Sequence, residues 1–140
     1  MLISYTENDV DMLARIMRAE AQNEGDLGML MVGNVVVNRV LANCYTFKNI
    51  RSIYDAIYQK NQFVGVNSSL YQAAATEYEK QLARRVLQGE YYYPATNALW
   101  FYAPSKGASC KSVWYDQKIA GRYKNHCFYK PDQGICTSLY

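Results

Sequence analysis

The chain has 140 residues, half of them apolar and 19% charged, which is enough for one domain with a real core and excludes a disordered chain. A formal net charge of +3 without any run of Lys and Arg allows a weak attraction to anionic polymers. It argues against a nucleic-acid-binding module, which needs a clustered basic stripe. Tyrosine, with 14 copies, is over-represented; such rings stack on sugars, but they also fill cores and coats.

The N-terminus "MLISYTENDVD" has no basic n-region, no long apolar stretch and no small-residue cleavage site, so no classical signal peptide is expected and synthesis in a cytosol is. Thr6 is a good helix cap, with Asp9 where a capping box usually has Glu. Val10, Leu13, Ala14, Met17 and Ala21 follow at helical spacing, and Gly25 is a suitable stop. A second helix, from about Asp26 to Leu41, is apolar nearly all round and therefore buried and central. Its run "MLMVGNVVVNRVL" is too short to span a membrane and is broken by Asn34, Asn38 and Arg39. Asn34 and Asn38 lie one turn apart and need partners inside the protein. A short helix fits "IRSIYDAIYQ", with Asn49 as its cap. "KNQFVGVNSS" reads as a loop, and "SLYQAAATEYEKQLARRVLQ" as one long amphipathic helix ending at Gly89. Then the pattern changes. "ALWFYAP" and "SVWYD" alternate like strands around a turn containing Gly107, and "CFYK" adds a third extended piece. Nothing divides the chain, so 1–140 reads as a single α+β domain, mainly helical, with an aromatic β region in its C-terminal third.

Four cysteines, Cys44, Cys110, Cys127 and Cys136, contain no CxxC spacing, which argues against a zinc ribbon or a thioredoxin motif. Their even number permits two disulfides with three connectivities, and reduced thiols are the alternative. The pair His126–Cys127 supplies half of a metal site without evident further ligands, so no metal or cofactor is expected. A thiol or metal enzyme built on these two is the weakest reading.

The chemistry concentrates at "LARIMRAEAQNEG". At about 100° per residue from Val10, Leu13 falls near 300°, Met17 near 340°, Glu20 near 280° and Glu24 near 320°. Both glutamates thus sit on or beside the apolar stripe. Desolvation raises the pKa of a carboxyl held there, as a general acid working near neutrality requires. A solvated pair at a frayed helix end is the bland alternative, but the helix dipole disfavours negative charge at that end.

The ordered set "ARIMRAEAQNEG", "GMLMVGNVVVNRV", "YQKNQF", "ALWFYAP", "VWYD" and "GRYKNHCFY" resembles the spore cortex-lytic cell wall hydrolases of the SleB/CwlJ type, most nearly the short CwlJ-like members. Those lack a wall-binding N-terminal module and a signal peptide and have similarly placed cysteines. The resemblance implies a lysozyme-like, lytic-transglycosylase-like fold and cleavage of peptidoglycan glycan strands, specifically cortex rich in muramic lactam. It carries the catalytic glutamate onto Glu20 and supporting positions onto Glu24, Asn38 and Arg39. It also makes Gln62 and Phe63 part of a segment lining the glycan cleft. The long members commonly have Arg where this chain has Gln22. Short members sit in the spore coat region, need a small coat protein for placement and respond to calcium dipicolinate, although no DxDxDG calcium loop occurs here.

Mechanism can be argued beside the resemblance. Ordinary glycosidases place two carboxyls on opposite sides of the scissile bond. Glu24, one turn from Glu20 on the same helix face, cannot reach across a sugar ring, and nothing in the sequence places Asp55 or Asp116. A lytic transglycosylase needs a single acid/base, so one strong glutamate favours that chemistry over hydrolysis. Trp100 and Tyr102 share one face of a strand, where they either stack on sugar rings or fill core, and Trp114 and Tyr115 share that ambiguity; Trp100, Tyr102 and Trp114 form the expected sugar-binding set. His126, the sole histidine, reads as structural. The rival readings are a hydrolytic glycosidase and a catalytically silent wall or coat protein.

Overall fold

A computed structural model of the chain describes residues 3–60 and 62–139. Helix α1 spans Glu7–Ala21 and starts in the expected capping box: Thr6 Oγ1 accepts from Asp9 N–H at 3.2 Å, and Asp9 Oδ2 accepts from Thr6 N–H at 2.9 Å. A 3-10 turn, Gln22–Glu24, leads through Gly25 (φ 77°) into α2, Gly25–Leu41. All of α2 from Gly28 to Arg39 is buried, as its all-round apolarity requires. It packs against α1, α3 (Ile53–Tyr58) and α5 (Glu77–Leu87) around Leu13, Met17, Val32, Val36 and Val86.

Two sequence expectations fail in the helical half. Ser52, not Asn49, caps α3, its hydroxyl accepting from Asp55 N–H at 3.0 Å. The long helix is broken into α4 (Ser69–Gln72) and α5. Arg18 is the cause: its guanidinium takes the carbonyls of Leu70, Ala73 and Ala74, which a continuous helix would need for its own amides. Thr76 and Glu79 then form a fresh capping box, and Arg18 pairs with Glu79 at 2.8 Å. Helix α5 does end at Gly89, whose φ is 102°.

Asn34 and Asn38 find the partners they need in the segment after α5. Asn34 donates to Glu90 O at 2.7 Å and accepts from Tyr92 N–H at 3.0 Å. Asn38 Nδ2 meets the carbonyls of Ala95, Thr96 and Ala98 at 3.2, 3.1 and 2.9 Å. Asn38→Ala is expected to cost about 2–3 kcal/mol, because several buried acceptors lose their donor together; urea unfolding measures it, and a loss below about 0.5 kcal/mol contradicts this account.

The C-terminal third forms one antiparallel sheet, in the order β1 (Trp100–Tyr102), β4 (His126–Lys130), β3 (Gln117–Tyr123), β2 (Val113–Trp114). The three aromatic pieces are strands, but β1 and β2 do not pair with each other; each pairs with a strand of the central β3–β4 hairpin. Strand β3 is too polar to have been read as one. Its hairpin with β2 turns through Tyr115 and Asp116, both at positive φ, without the usual Asn-Gly. Phe128, and Phe101 opposite it, pack toward Met31 and Val35 of α2. Trp100, Tyr102 and Tyr129 alternate onto the other face, where Trp114 joins them. Disulfides Cys44–Cys136 and Cys110–Cys127 select one of the three connectivities. Among the described residues, no helix is long and apolar enough to cross a membrane.

Candidate active site

Glu20 stands in the last turn of α1, and its carboxyl reaches into a cavity of about 450 Å³ bounded also by Arg39, Gln62, Gly65, Tyr102 and His126. Burial pushes its pKa above the ordinary carboxylate value, while the Gly65 N–H and the Arg39 charge work in the opposite direction. Gly65 N–H donates to Glu20 Oε2 at 3.0 Å. A Cβ on Gly65 would lie 2.3 Å from that same oxygen, so any other residue there displaces the loop or the acid. This residue went unnoticed in the sequence, where only Gln62 and Phe63 of "NQFVG" are assigned to the cleft; its signal is a glycine placed two residues after Phe63.

Arg39 is 3% exposed, and its Nε donates to Leu99 O at 2.8 Å. The guanidinium lies between the rings of Phe47 and Phe63, 4.8 and 4.7 Å from their centroids. Burial pushes its pKa down to about 9 against the pull of Glu20, which leaves it a cation at neutral pH. Phe63 therefore departs from the expectation of a substrate-lining ring: it is 4% exposed and serves to cover Arg39. Asn38, one residue before, holds the segment that leads into β1.

Glu24 also departs from the helical picture. Ala21 (φ −144°, ψ 18°) ends α1, so the register that put Glu20 and Glu24 on one face stops between them. Glu24 is 7% exposed. Its Oε1 accepts from Asn125 N–H at 2.8 Å and lies 2.9 Å from His126 Nδ1, and its carbonyl accepts from Lys124 Nζ at 3.2 Å. The carboxylate fastens the β3–β4 turn to the end of α1.

The space around Glu20 continues in both directions. A hollow of about 190 Å³ along residues 18–24 shares Glu20, Ala103 and His126 with the central cavity. On the other side a hollow of about 380 Å³, walled by Trp100, Trp114 and Tyr115, shares Arg39, Gln62 and Phe101 with it. Trp100 and Tyr102 do share a face, yet they line neighbouring parts of this groove. Trp100 leans on Tyr45 and Phe47, while Tyr102 stacks on Tyr129 with centroids 5.7 Å apart and lies 4.9 Å from Trp114. A larger hollow of about 510 Å³, beside Ile3, Val40 and Arg51, shares no lining residue with the groove.

Neither proposed second carboxylate lines the groove. Asp55 accepts from Arg51 N–H at 3.1 Å, and Asp116 sits in the exposed β2–β3 turn. The thiol or metal alternative also falls. Cys127, on which it rested together with His126, is in a disulfide with Cys110, and among the described residues no cluster of His, Cys, Asp and Glu could hold a metal ion.

The helical body supplies Glu20 and the small sheet supplies the aromatic wall, and the groove runs between them. The sequence profile of the cell wall hydrolases matches residues 23–129, a span that begins just after Glu20. The chain is 46% identical to cell wall hydrolase CwlJ of Oceanobacillus iheyensis over 99% of its own length and 98% of that protein. It is 26% identical to a spore cortex-lytic enzyme of Bacillus cereus, over 90% of this chain and 46% of that protein. In fold it is similar to the catalytic domain of the germination-specific lytic transglycosylase SleB from Bacillus anthracis, with a TM-score of 0.71 at 24% identity over 91% of this chain and 98% of that one. The chain belongs to the cell wall hydrolase family.

Proposed function

We propose that the chain, as one catalytic domain, cleaves the glycan strands of peptidoglycan in spore cortex during germination, as a lytic transglycosylase with Glu20 as its only acid/base. The observation that carries this reading is the single available carboxyl in the groove. Among the described residues that line it, Glu24 is the other carboxylate, and it is spent on Asn125 and His126.

In the proposed cycle, the protonated Glu20 gives its proton to the glycosidic oxygen as the C1–O bond breaks. The resulting carboxylate removes the proton from the C6 hydroxyl of the same sugar, whose oxygen closes onto C1. An anhydro sugar leaves, and Glu20 ends protonated as it began. No water is consumed and no second carboxylate is required. Arg39 and the Gly65 N–H stabilise the charged half of the cycle, and burial favours the protonated half. Gln62, Trp100, Tyr102 and Trp114 hold the strand on either side.

The relatives' names support the cell wall as target, and the resemblance supports deposition near the spore coat and cortex, with a small coat protein as partner. The test is product chemistry. Purified protein is incubated with cortex fragments in H₂¹⁸O, and released muropeptides are weighed by mass spectrometry. Anhydro ends without ¹⁸O are expected. Reducing ends carrying ¹⁸O would make the enzyme a hydrolase, and no release at all would favour a silent wall or coat protein.

A further inference from the structure

We propose that His126 is a second working residue of the cleft: Glu24 holds its imidazole in one tautomer, so that Nε2 accepts a hydrogen bond from a hydroxyl or amide N–H of the glycan beside Glu20. The inference rests on the groove being a glycan cleft.

His126 opens β4 and is 6% exposed. Its Nδ1 lies 2.9 Å from Glu24 Oε1, with the ring tilted out of hydrogen-bond alignment. An unprotonated Nδ1 that close to a carboxylate oxygen would be repelled by it, whereas an N–H there is attracted even out of line, so the proton of the neutral ring belongs on Nδ1 and Nε2 is the acceptor. The holder is itself held, since Glu24 is fixed through Asn125 N–H and Lys124 Nζ. The edge-on ring of Phe101, 5.2 Å away, limits rotation of the imidazole.

A histidine with a purely structural role would turn its nitrogens toward protein groups rather than toward a cavity. Here, among the described residues, Nε2 has no protein partner, and His126 lines both cavities that contain Glu20. Such an acceptor on the wall of a sugar site fits the donors that a glycan presents at every residue.

The charged groups around the cleft at this point come from several elements: Glu20 and Arg18 from α1, Glu24 from the turn after it, Arg39 from α2 and Lys124 from the β3–β4 turn. Phe101 of β1 brings no charge. Burial lowers the imidazole pKa and Glu24 opposes it, with burial the larger effect. The ring is then neutral at neutral pH. Acidification places a proton on Nε2, which turns the acceptor into a donor and weakens binding.

This chain has a single histidine, so its ¹⁵N imidazole signals need no assignment. In the full-length Glu20→Gln variant at neutral pH, the spectrum should show a protonated Nδ1 and an unprotonated Nε2. Adding a soluble peptidoglycan tetrasaccharide should move the Nε2 signal in the direction of an accepted hydrogen bond. His126→Phe in the same background should bind that tetrasaccharide about tenfold more weakly by calorimetry and lose the weakening seen on acidification. A proton on Nε2, an Nε2 signal that stays still while amides around Gly65 move, or unchanged affinity in the Phe variant each overturn the proposal. If no amide of the groove responds to the glycan, the cleft reading itself is lost, and this inference with it. Should the Phe variant not fold, the spectrum alone decides.

Discussion

Glu20→Gln is expected to slow glycan cleavage by about three orders of magnitude while leaving glycan affinity within about threefold. Gln keeps an oxygen for the Gly65 N–H and nearly the same shape, but it has no proton to give to a leaving oxygen. The same substitution should raise thermal stability at neutral pH. Folding lifts the Glu20 pKa, chiefly by burial, so between the unfolded and folded values the folded protein binds more protons. The charged carboxylate therefore lowers stability progressively as pH rises through that window, and fully above it. Removing it gives a gain at neutral pH that fades on acidification into the ordinary carboxylate range. Cleavage assays and melting curves at several pH values check both parts. A variant that retains a tenth of the wild-type rate would remove Glu20 from the chemistry.

The second large effect is expected at Gly65. Gly65→Ala puts a methyl carbon 2.3 Å from Glu20 Oε2, so either the loop or the acid must move. A displacement near 1 Å at a reacting group costs about a hundredfold in rate, and that is the loss expected in kcat. A direction of shift separates this from general damage. The Gly65 N–H lowers the Glu20 pKa, so breaking that bond leaves the acid protonated to higher pH. The alkaline limb of the pH–rate profile should move upward. A variant with lower kcat and an unmoved alkaline limb would show that Gly65 only builds the loop.

What the sequence revealed and what it hid follow from one distinction. Local chemistry is written locally: the Thr6–Asp9 capping box, the stripe from Val10 to Ala21 and the need of Asn34 and Asn38 for partners were all legible. The break at Thr76 was not, because its cause is Arg18, far away in the chain and bonded to three carbonyls of the linking segment. Strand β3 was hidden for a similar reason. Gln117, Lys118 and Arg122 make it polar, and it is a strand because β2 and β4 flank it on both sides. At the groove, helical periodicity led to Glu20, but it also carried Glu24 along a helix that ends at Ala21. Gly65 and His126 carry no periodic signal. Their parts are set by distances to an acid and to a carboxylate that only the folded chain brings near them.

The two buried asparagines of α2 have a consequence for the order of assembly. The acid lies near the beginning of the chain and the aromatic wall near its end, and the amides of Asn34 and Asn38 fasten the connecting segment to the helix between them. Helical contacts in the first half are local and form quickly, whereas pairing β1 with β4 and docking the sheet must wait for the rest of the chain. During synthesis, Glu20 is thus laid down well before the strands that wall its groove. The groove around Glu20 is closed only when β4, near the end of the chain, has paired with β1 and β3.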